Sequence, residues 1–189
     1  ISSSQAIALA KKTGARLHVF HLSTAKETKL FDKKKNLKDK KITAEVCVHH
    51  LWFTDAHYSS KGTKIKWNPA VKTKKDREGL WKALNEGRID VIATDHAPHT
   101  LEEKNNVYTK APSGGPLVQH ALEALFEMHH KGYITVEKLV EKVSHNPAIL
   151  FQIKDRGYIR KGYKADLVLI NPNAPWTVTK ENIAYKCGW

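Results

Sequence analysis

The stretch Arg16-Leu17-His18-Val19-Phe20-His21-Leu22-Ser23-Thr24 decides how the chain reads. Seven residues rich in strand formers run into two hydroxyl residues that can open a helix. A strand over 16–22 is therefore expected, with a helix from about 26 to 34. Upstream, a serine cluster precedes Ile7, Ala8, Leu9 and Ala10, and Gly14 can stop a helix over 2–12. Downstream the alternation repeats, with a strand at 41–48, a helix at 74–85 ended at Gly87 and a third strand at 89–94. Strands separated by helical segments and lying in one sheet must be parallel and joined by right-handed crossovers. The expected class is α/β.

Composition agrees with a packed core. The chain has 189 residues, 41% hydrophobic and 27% charged, against roughly 45–50% and roughly 25% in ordinary globular domains. Its length is short of the about 250 residues of a full (β/α)8 barrel. No apolar run reaches the roughly 20 residues of a membrane span, and Ile1-Ser2-Ser3-Ser4 lacks the basic start of a secretory leader. The two cysteines, Cys47 and Cys187, form no CxxC pair, which suits a reducing cytoplasm. The net charge of +13 raises the question of nucleic acid. The densest basic stretch, 33–41, has no aromatic residue interleaved to stack on bases, and no recognition motif accompanies it. A solvated helix end and loop is the expected reading, with neither nucleic acid nor membrane as partner.

Eleven histidines matter less for their number than for their placement. His21 closes the first strand, His49 and His50 follow the second, and Asp95, His96 and His99 follow the third. Side chains at the carboxyl ends of parallel strands converge on one face, where ligands bind. Imidazole and carboxylate are also ligands of catalytic zinc, so metal-assisted hydrolysis is the functional expectation. Simpler roles stand beside it. A strand-end histidine can be a hydrogen-bonded structural residue, and Asp95 can cap the chain leaving its strand. His49, His50, His57, His129 and His130 read as surface or packing residues. HExxH, His-x-His, GxGxxG and GxSxG are all missing from the sequence, which lowers nucleotide and serine-hydrolase readings. A long loop over 95–115 reads as functional or disordered. Helices are expected at 116–131 and 135–150, and short strands at 162–164 and 165–170 suggest a small β appendage.

The segment Ala93-Thr94-Asp95-His96-Ala97-Pro98-His99 is similar to the strand-eight signature of dihydroorotases in the amidohydrolase superfamily. In the family's order come His18-Val19-Phe20-His21-Leu22-Ser23-Thr24, Thr43-Ala44-Glu45-Val46-Cys47-Val48-His49-His50, Lys66-Trp67-Asn68-Pro69-Ala70, Asp76-Arg77-Glu78-Gly79-Leu80 and residues 161–170. The chain most resembles the bacterial type I enzymes. The resemblance implies strands six to eight of a (β/α)8 TIM barrel over 1–156, with a partial β appendage over 157–189. It implies that His21 and Asp95 bind metal and that Asp95 also handles protons. It assigns substrate binding to Asn68, His99, Ser113 and Gly114. The implied reaction is the reversible conversion of N-carbamoyl-L-aspartate to L-dihydroorotate in pyrimidine synthesis, with one or two Zn2+ ions and a small-molecule substrate. The family's other ligands are a His-x-His after strand one, a carbamylated lysine or aspartate after strand four and a histidine after strand five. They are expected upstream of Ile1, so the chain is expected to be a fragment, inactive alone, of a cytoplasmic enzyme that can form a homo-oligomer. Where relatives commonly carry Asn-Pro-Pro-Leu-Arg, this chain has Asn68-Pro69-Ala70-Val71-Lys72. Ser113 stands where relatives often carry a bulkier residue. An allantoinase or hydantoinase and a non-catalytic barrel relative are the alternatives.

Overall fold

The computed structural model describes residues 2–33 and 36–189. Its centre is a three-stranded parallel sheet in the order β1 (Leu17–Val19), β2 (Ile42–Cys47), β3 (Val91–Ala93), with His18 opposite Thr43 and Cys47 opposite Ala93. Helix α1 (Ser2–Thr13) precedes β1, and a single turn, α2 (Ala25–Thr28), follows it. Beyond β2 come α3 (Val48–Trp52), α4 (Tyr58–Lys61) and α5 (Lys74–Asn85). After β3 come α6 (Leu101–Lys104), α7 (Ala121–His130), α8 (Val136–Val140) and α9 (Asn146–Leu150), the last two joined through a π-helical turn at Glu141–His145.

The helix-opening role expected at Thr24 is realised, and a second threonine cap forms at Thr73. Thr24 accepts from the Glu27 amide at the start of α2, and Thr73 accepts from the Asp76 amide at the start of α5. Asp76 then receives the Ala25 amide at 3.0 Å, which ties α2 to α5. The two helices meet at Gly79, where an added Cβ would stand 2.3 Å from the Ala25 Cβ. Any side chain there would push the helices apart.

Alternation along β2 sorts its side chains to two faces. Ala44 and Val46 join Leu22, Phe31, Leu80, Leu84, Leu125 and Leu139 in one apolar core under the helices. Thr43, Glu45 and Cys47 occupy the other face and are buried as well. At the amino end of β3, Asp90 forms a buried ion pair with Lys40 at 2.8 Å and accepts the Ala44 amide at 3.0 Å. Asn146 and Lys142 donate to the Asp90 and Ile89 carbonyls. This polar network closes the end of the sheet opposite the strand tips.

Several expectations need correction. The strands are shorter than 16–22, 41–48 and 89–94, because the chain turns away from the sheet at each carboxyl end. The helix after β1 is one turn rather than a run to Lys34, which lies outside the described residues. The helix expected at 116–131 begins at Ala121. The stretch 33–41 is not uniformly solvated, since Lys40 is only 2% exposed. The short strands expected at 162–164 and 165–170 are not formed. Leu167, Val168 and Leu169 are exposed, and strand formers stay irregular without a hydrogen-bonding neighbour. Among the described residues, no helix is long and apolar enough to cross a membrane.

Candidate active site

The strand tips carry unusual backbone. His21 has φ +39° and Asp95 φ +48°, both in the left-handed region that non-glycine residues rarely visit. Such conformations cost about 1–3 kcal/mol and cluster at functional sites. β1 and β3 flank β2, so His21 and Asp95 stand on either side of the β2 tip. Glu45 fixes the β1 side. Its carboxylate lies 3.1 Å from His18 Nε2 and accepts the His21 amide at 3.4 Å, while His18 Nδ1 meets the Thr43 hydroxyl at 2.9 Å. The Leu22 amide donates to the Glu45 carbonyl at 2.9 Å. His21 and Asp95 are both half-buried, accessible to a ligand yet screened from bulk water.

Between them lies a cluster that the sequence reading treated as surface or packing. His49 and His50 are 0% and 3% exposed, so packing is the right half of that expectation. The His49 ring stacks flat on Trp67, with centroids 4.2 Å apart and planes at 7°. Neither of its nitrogens makes a well-formed hydrogen bond among the described residues, although the Thr94 carbonyl lies close enough to oppose part of the effect of burial. His50 Nε2 donates to the Pro69 carbonyl at 2.9 Å, and its Nδ1 is unpartnered. Burial pushes His49 down to about 2, with His50 and His21 adding repulsion. Burial likewise pushes His50 down to about 4. Both rings are therefore neutral at pH 7. The Cys47 thiol is pushed up by burial and by the negative charges of Glu45 and Asp95.

The predicted substrate residues form a second assembly beside the first. His99 Nε2 donates to the Ser113 carbonyl at 3.1 Å, and the Gly114 amide donates to the Lys66 carbonyl at 2.9 Å. Gly114 has φ +128°, and a Cβ there would fall 2.4 Å from the Ala97 carbonyl oxygen, so this loop fits the β3 exit only with glycine. Asn68 is exposed at the rim, and its neighbour Pro69 accepts from His50. Trp67 joins the two assemblies, packing on His49 and against Gly115.

Lys104 holds this loop from beneath. It is 0% exposed, and its ammonium donates to the carbonyls of Gly114 at 2.8 Å, Pro112 at 2.9 Å and Lys66 at 3.3 Å. No carboxylate pairs with it among the described residues. Burial, and then the charge of Lys66, lower it to about 8. The sequence reading missed this residue, which follows Glu102 and Glu103 and reads as part of a solvated charge run. It also missed Glu45, for which a signal existed: Thr43, Glu45 and Cys47 recur at period two on a strand whose alternate residues are apolar.

A parallel α/β sheet that gathers imidazoles and a carboxylate at its carboxyl-end tips defines a protein that binds its ligand across those tips. Residues 2–189 match the Amidohydrolase family, and the chain belongs to it. It is 43% identical over 181 residues to the dihydroorotase of Carboxydothermus hydrogenoformans, covering 95% of this chain and 42% of that protein. It is 38% identical over 171 residues to the dihydroorotase of Clostridioides difficile, covering 90% and 40%. Among solved structures, the L-hydantoinase (dihydropyrimidinase) of Arthrobacter aurescens superposes with a TM-score of 0.79 at 27% identity, covering 86% of this chain and 37% of that one. The D-hydantoinase (dihydropyrimidinase) of a Thermus species superposes with a TM-score of 0.85 at 24% identity, covering 95% and 41%. The chain thus spans less than half the length of the relatives it matches.

Proposed function

We propose that this chain forms strands six to eight of a dihydroorotase barrel, over 1–156, followed by part of an appendage over 157–189. In this reading the exposed apolar residues of the tail pair with strands from the part of the relatives' length that this chain does not span. The observation that carries the reading is the left-handed backbone of His21 and Asp95 at the tips of β1 and β3. It sets an imidazole and a carboxylate on both sides of one strand end.

The donor set fits a zinc-class ion. Imidazole nitrogen and carboxylate oxygen are its ordinary catalytic ligands, and both residues here are half-buried on fixed backbone. His21 and Asp95 would hold the ion together with ligands from elsewhere in the enzyme, since catalytic zinc takes about three protein ligands. When bound, such an ion supplies Lewis-acid polarisation of an amide carbonyl and makes water more acidic. Asp95 accepts the proton of the attacking water on its carboxylate and returns it to the leaving ring nitrogen, a contribution of about 10²–10⁴-fold. His99 and Asn68 orient the anionic substrate from the rim. Ser113 and Gly114 present their loop to it, and Lys104 fixes that loop while adding positive charge beneath it. The substrate is then L-dihydroorotate or N-carbamoyl-L-aspartate, and the enzyme works in the cytoplasm, with homo-oligomer formation compatible with it.

A hydantoinase-type hydrolase is the second reading, favoured by the 27% identical L-hydantoinase superposition. Turnover of dihydroorotate, hydantoin and allantoin by the full-length protein separates the two. Dihydroorotate is expected to be opened with the highest kcat/KM, and preference for hydantoin or allantoin would overturn the dihydroorotase reading. The isolated 189-residue chain is expected to show no turnover and weak zinc binding at His21 and Asp95.

A further inference from the structure

The tip of β2 carries metal-ligating side chains that the proposed reaction does not use. Ligand atoms of Cys47, His49 and His50 all lie within 4.8 Å of one another, and all three residues are buried. We propose that Cys47, His49 and His50 bind one thiophilic divalent cation of the zinc class. The donor chemistry selects it, because one thiolate with two imidazoles suits zinc and softer ions and repels none of them by geometry.

Each ligand is prepared for this role. His50 donates its Nε2 hydrogen to the Pro69 carbonyl, and this fixes the tautomer that leaves the Nδ1 lone pair free. That arrangement, a ring nitrogen held by a carbonyl, is what orients histidines on metals. The His49 ring is clamped flat against Trp67. Both its nitrogens are buried without partners among the described residues, a state that a bound cation would relieve. Glu45 and Asp95 surround the thiol with negative charge. That charge disfavours a lone thiolate and favours a divalent cation beside it.

The ligand atoms must close from within 4.8 Å of one another to the spacing of a bound ion. Donors around a tetrahedral zinc stand roughly 3.3–3.6 Å apart, given bonds of about 2.0–2.3 Å. As the ion enters, the Cys47 thiol releases its proton to solvent and two N–metal bonds and one S–metal bond form. An open groove of about 1200 Å³ reaches His49 past Trp52, Leu117 and Phe126. The bound ion ties the tip of β2 to the first turn of α3.

The test uses Co2+ as the spectroscopic probe in the full-length protein carrying Cys187→Ser, which removes the other cysteine of this chain. Titration is expected to produce a near-ultraviolet thiolate-to-cobalt charge-transfer band that saturates at one equivalent and is absent after Cys47→Ser. Carboxylate and histidine ligands at the strand tips give no such band, so the result does not depend on the dihydroorotase reading. A band that survives Cys47→Ser with Cys47 the only thiol near the site removed would overturn the proposal, as would no band at all. Because Cys47→Ser can unfold the buried tip, zinc-edge X-ray absorption on the zinc-loaded Cys187→Ser protein supplies a readout free of that variant. A sulfur shell at about 2.3 Å is expected beside the nitrogen and oxygen shells that zinc at His21 and Asp95 adds to the average, and the lack of any sulfur shell would sink the site.

Discussion

The two faces of β2 do different work with side chains one residue apart. Ala44 and Val46 disappear into the apolar layer under α5 and α7, where only volume and shape count. Thr43, Glu45 and Cys47 face His18, His21 and Asp95, where polar and ionisable groups gather. The two ends of the sheet differ as well. At the amino end Asp90, Lys40, Asn146 and Lys142 satisfy one another in a closed network. At the carboxyl end His21 and Asp95 hold costly backbone, and His49 leaves both nitrogens unpartnered among the described residues. Stability is invested on one face and at one end, while strain and unmet polar groups collect where a ligand is expected.

Substitutions on opposite sides of that division should give opposite signatures. The largest effect is expected from Asp95→Asn in the full-length protein. It should cut dihydroorotate turnover by about 10²–10⁴-fold while the circular dichroism spectrum and thermal midpoint stay close to wild type. Turnover within about threefold of wild type would remove Asp95 from the proton transfer. Lys40→Met at the closed end should do the reverse and leave the Asp90 carboxylate buried without its partner. Removing one member of a buried pair costs about 3–5 kcal/mol, readable as a lower urea midpoint with KM unchanged in the folded fraction. In the apolar layer, Leu84→Ala opens a cavity under β2 and should cost roughly 2–5 kcal/mol of stability, again with kcat/KM per folded molecule preserved. A drop in kcat/KM larger than the loss of folded protein would mean that the two faces are coupled.

The smallest effect sharpens the comparison at the loop. Lys104→Met should raise KM for dihydroorotate about tenfold, equivalent to about 1.4 kcal/mol, with kcat little changed. The wild-type profile should show the same dependence on charge. Burial lowers Lys104 to about 8, so its ammonium is charged below that pH and loses its proton as pH rises through it. Affinity for the anionic substrate should therefore be full below about pH 8 and decline above it, and Lys104→Met should lack this alkaline limb. Lys66, whose ammonium donates to the Tyr108 and Ala111 carbonyls nearby, is the control. Its replacement should leave the limb in place at a higher pH, because one repelling charge is gone.

Much of this arrangement was legible in the residues. The strand-helix order follows from the alternation of β formers with helical segments, and Thr24 opens a helix as expected. His21 and Asp95 could be placed at strand tips because Ser23 and Pro98 mark where each strand must stop. The family resemblance assigned His99 and Ser113 to one role, and their contact appears only in the structure. Lys104 was not legible, since nothing local separates a buried ammonium held by three carbonyls from a solvated lysine after two glutamates. The burial of His49 and His50 depends on α3 winding straight out of β2 and on Trp67 folding back from 18 residues beyond His49, a long-range packing event. The tail shows the opposite limit. Its run of strand formers over 167–170 specifies a tendency, but such a run becomes a strand only against a neighbour.

The central claim is that His21 and Asp95 share one ion across the β2 tip. Anomalous diffraction at the zinc edge from crystals of the zinc-loaded full-length protein tests it most directly. A peak about 2.0–2.2 Å from both a His21 ring nitrogen and an Asp95 carboxylate oxygen is predicted. No zinc peak on His21 and Asp95, whether or not Cys47, His49 and His50 hold one, or a peak that binds one of the two with the other turned away, would contradict it.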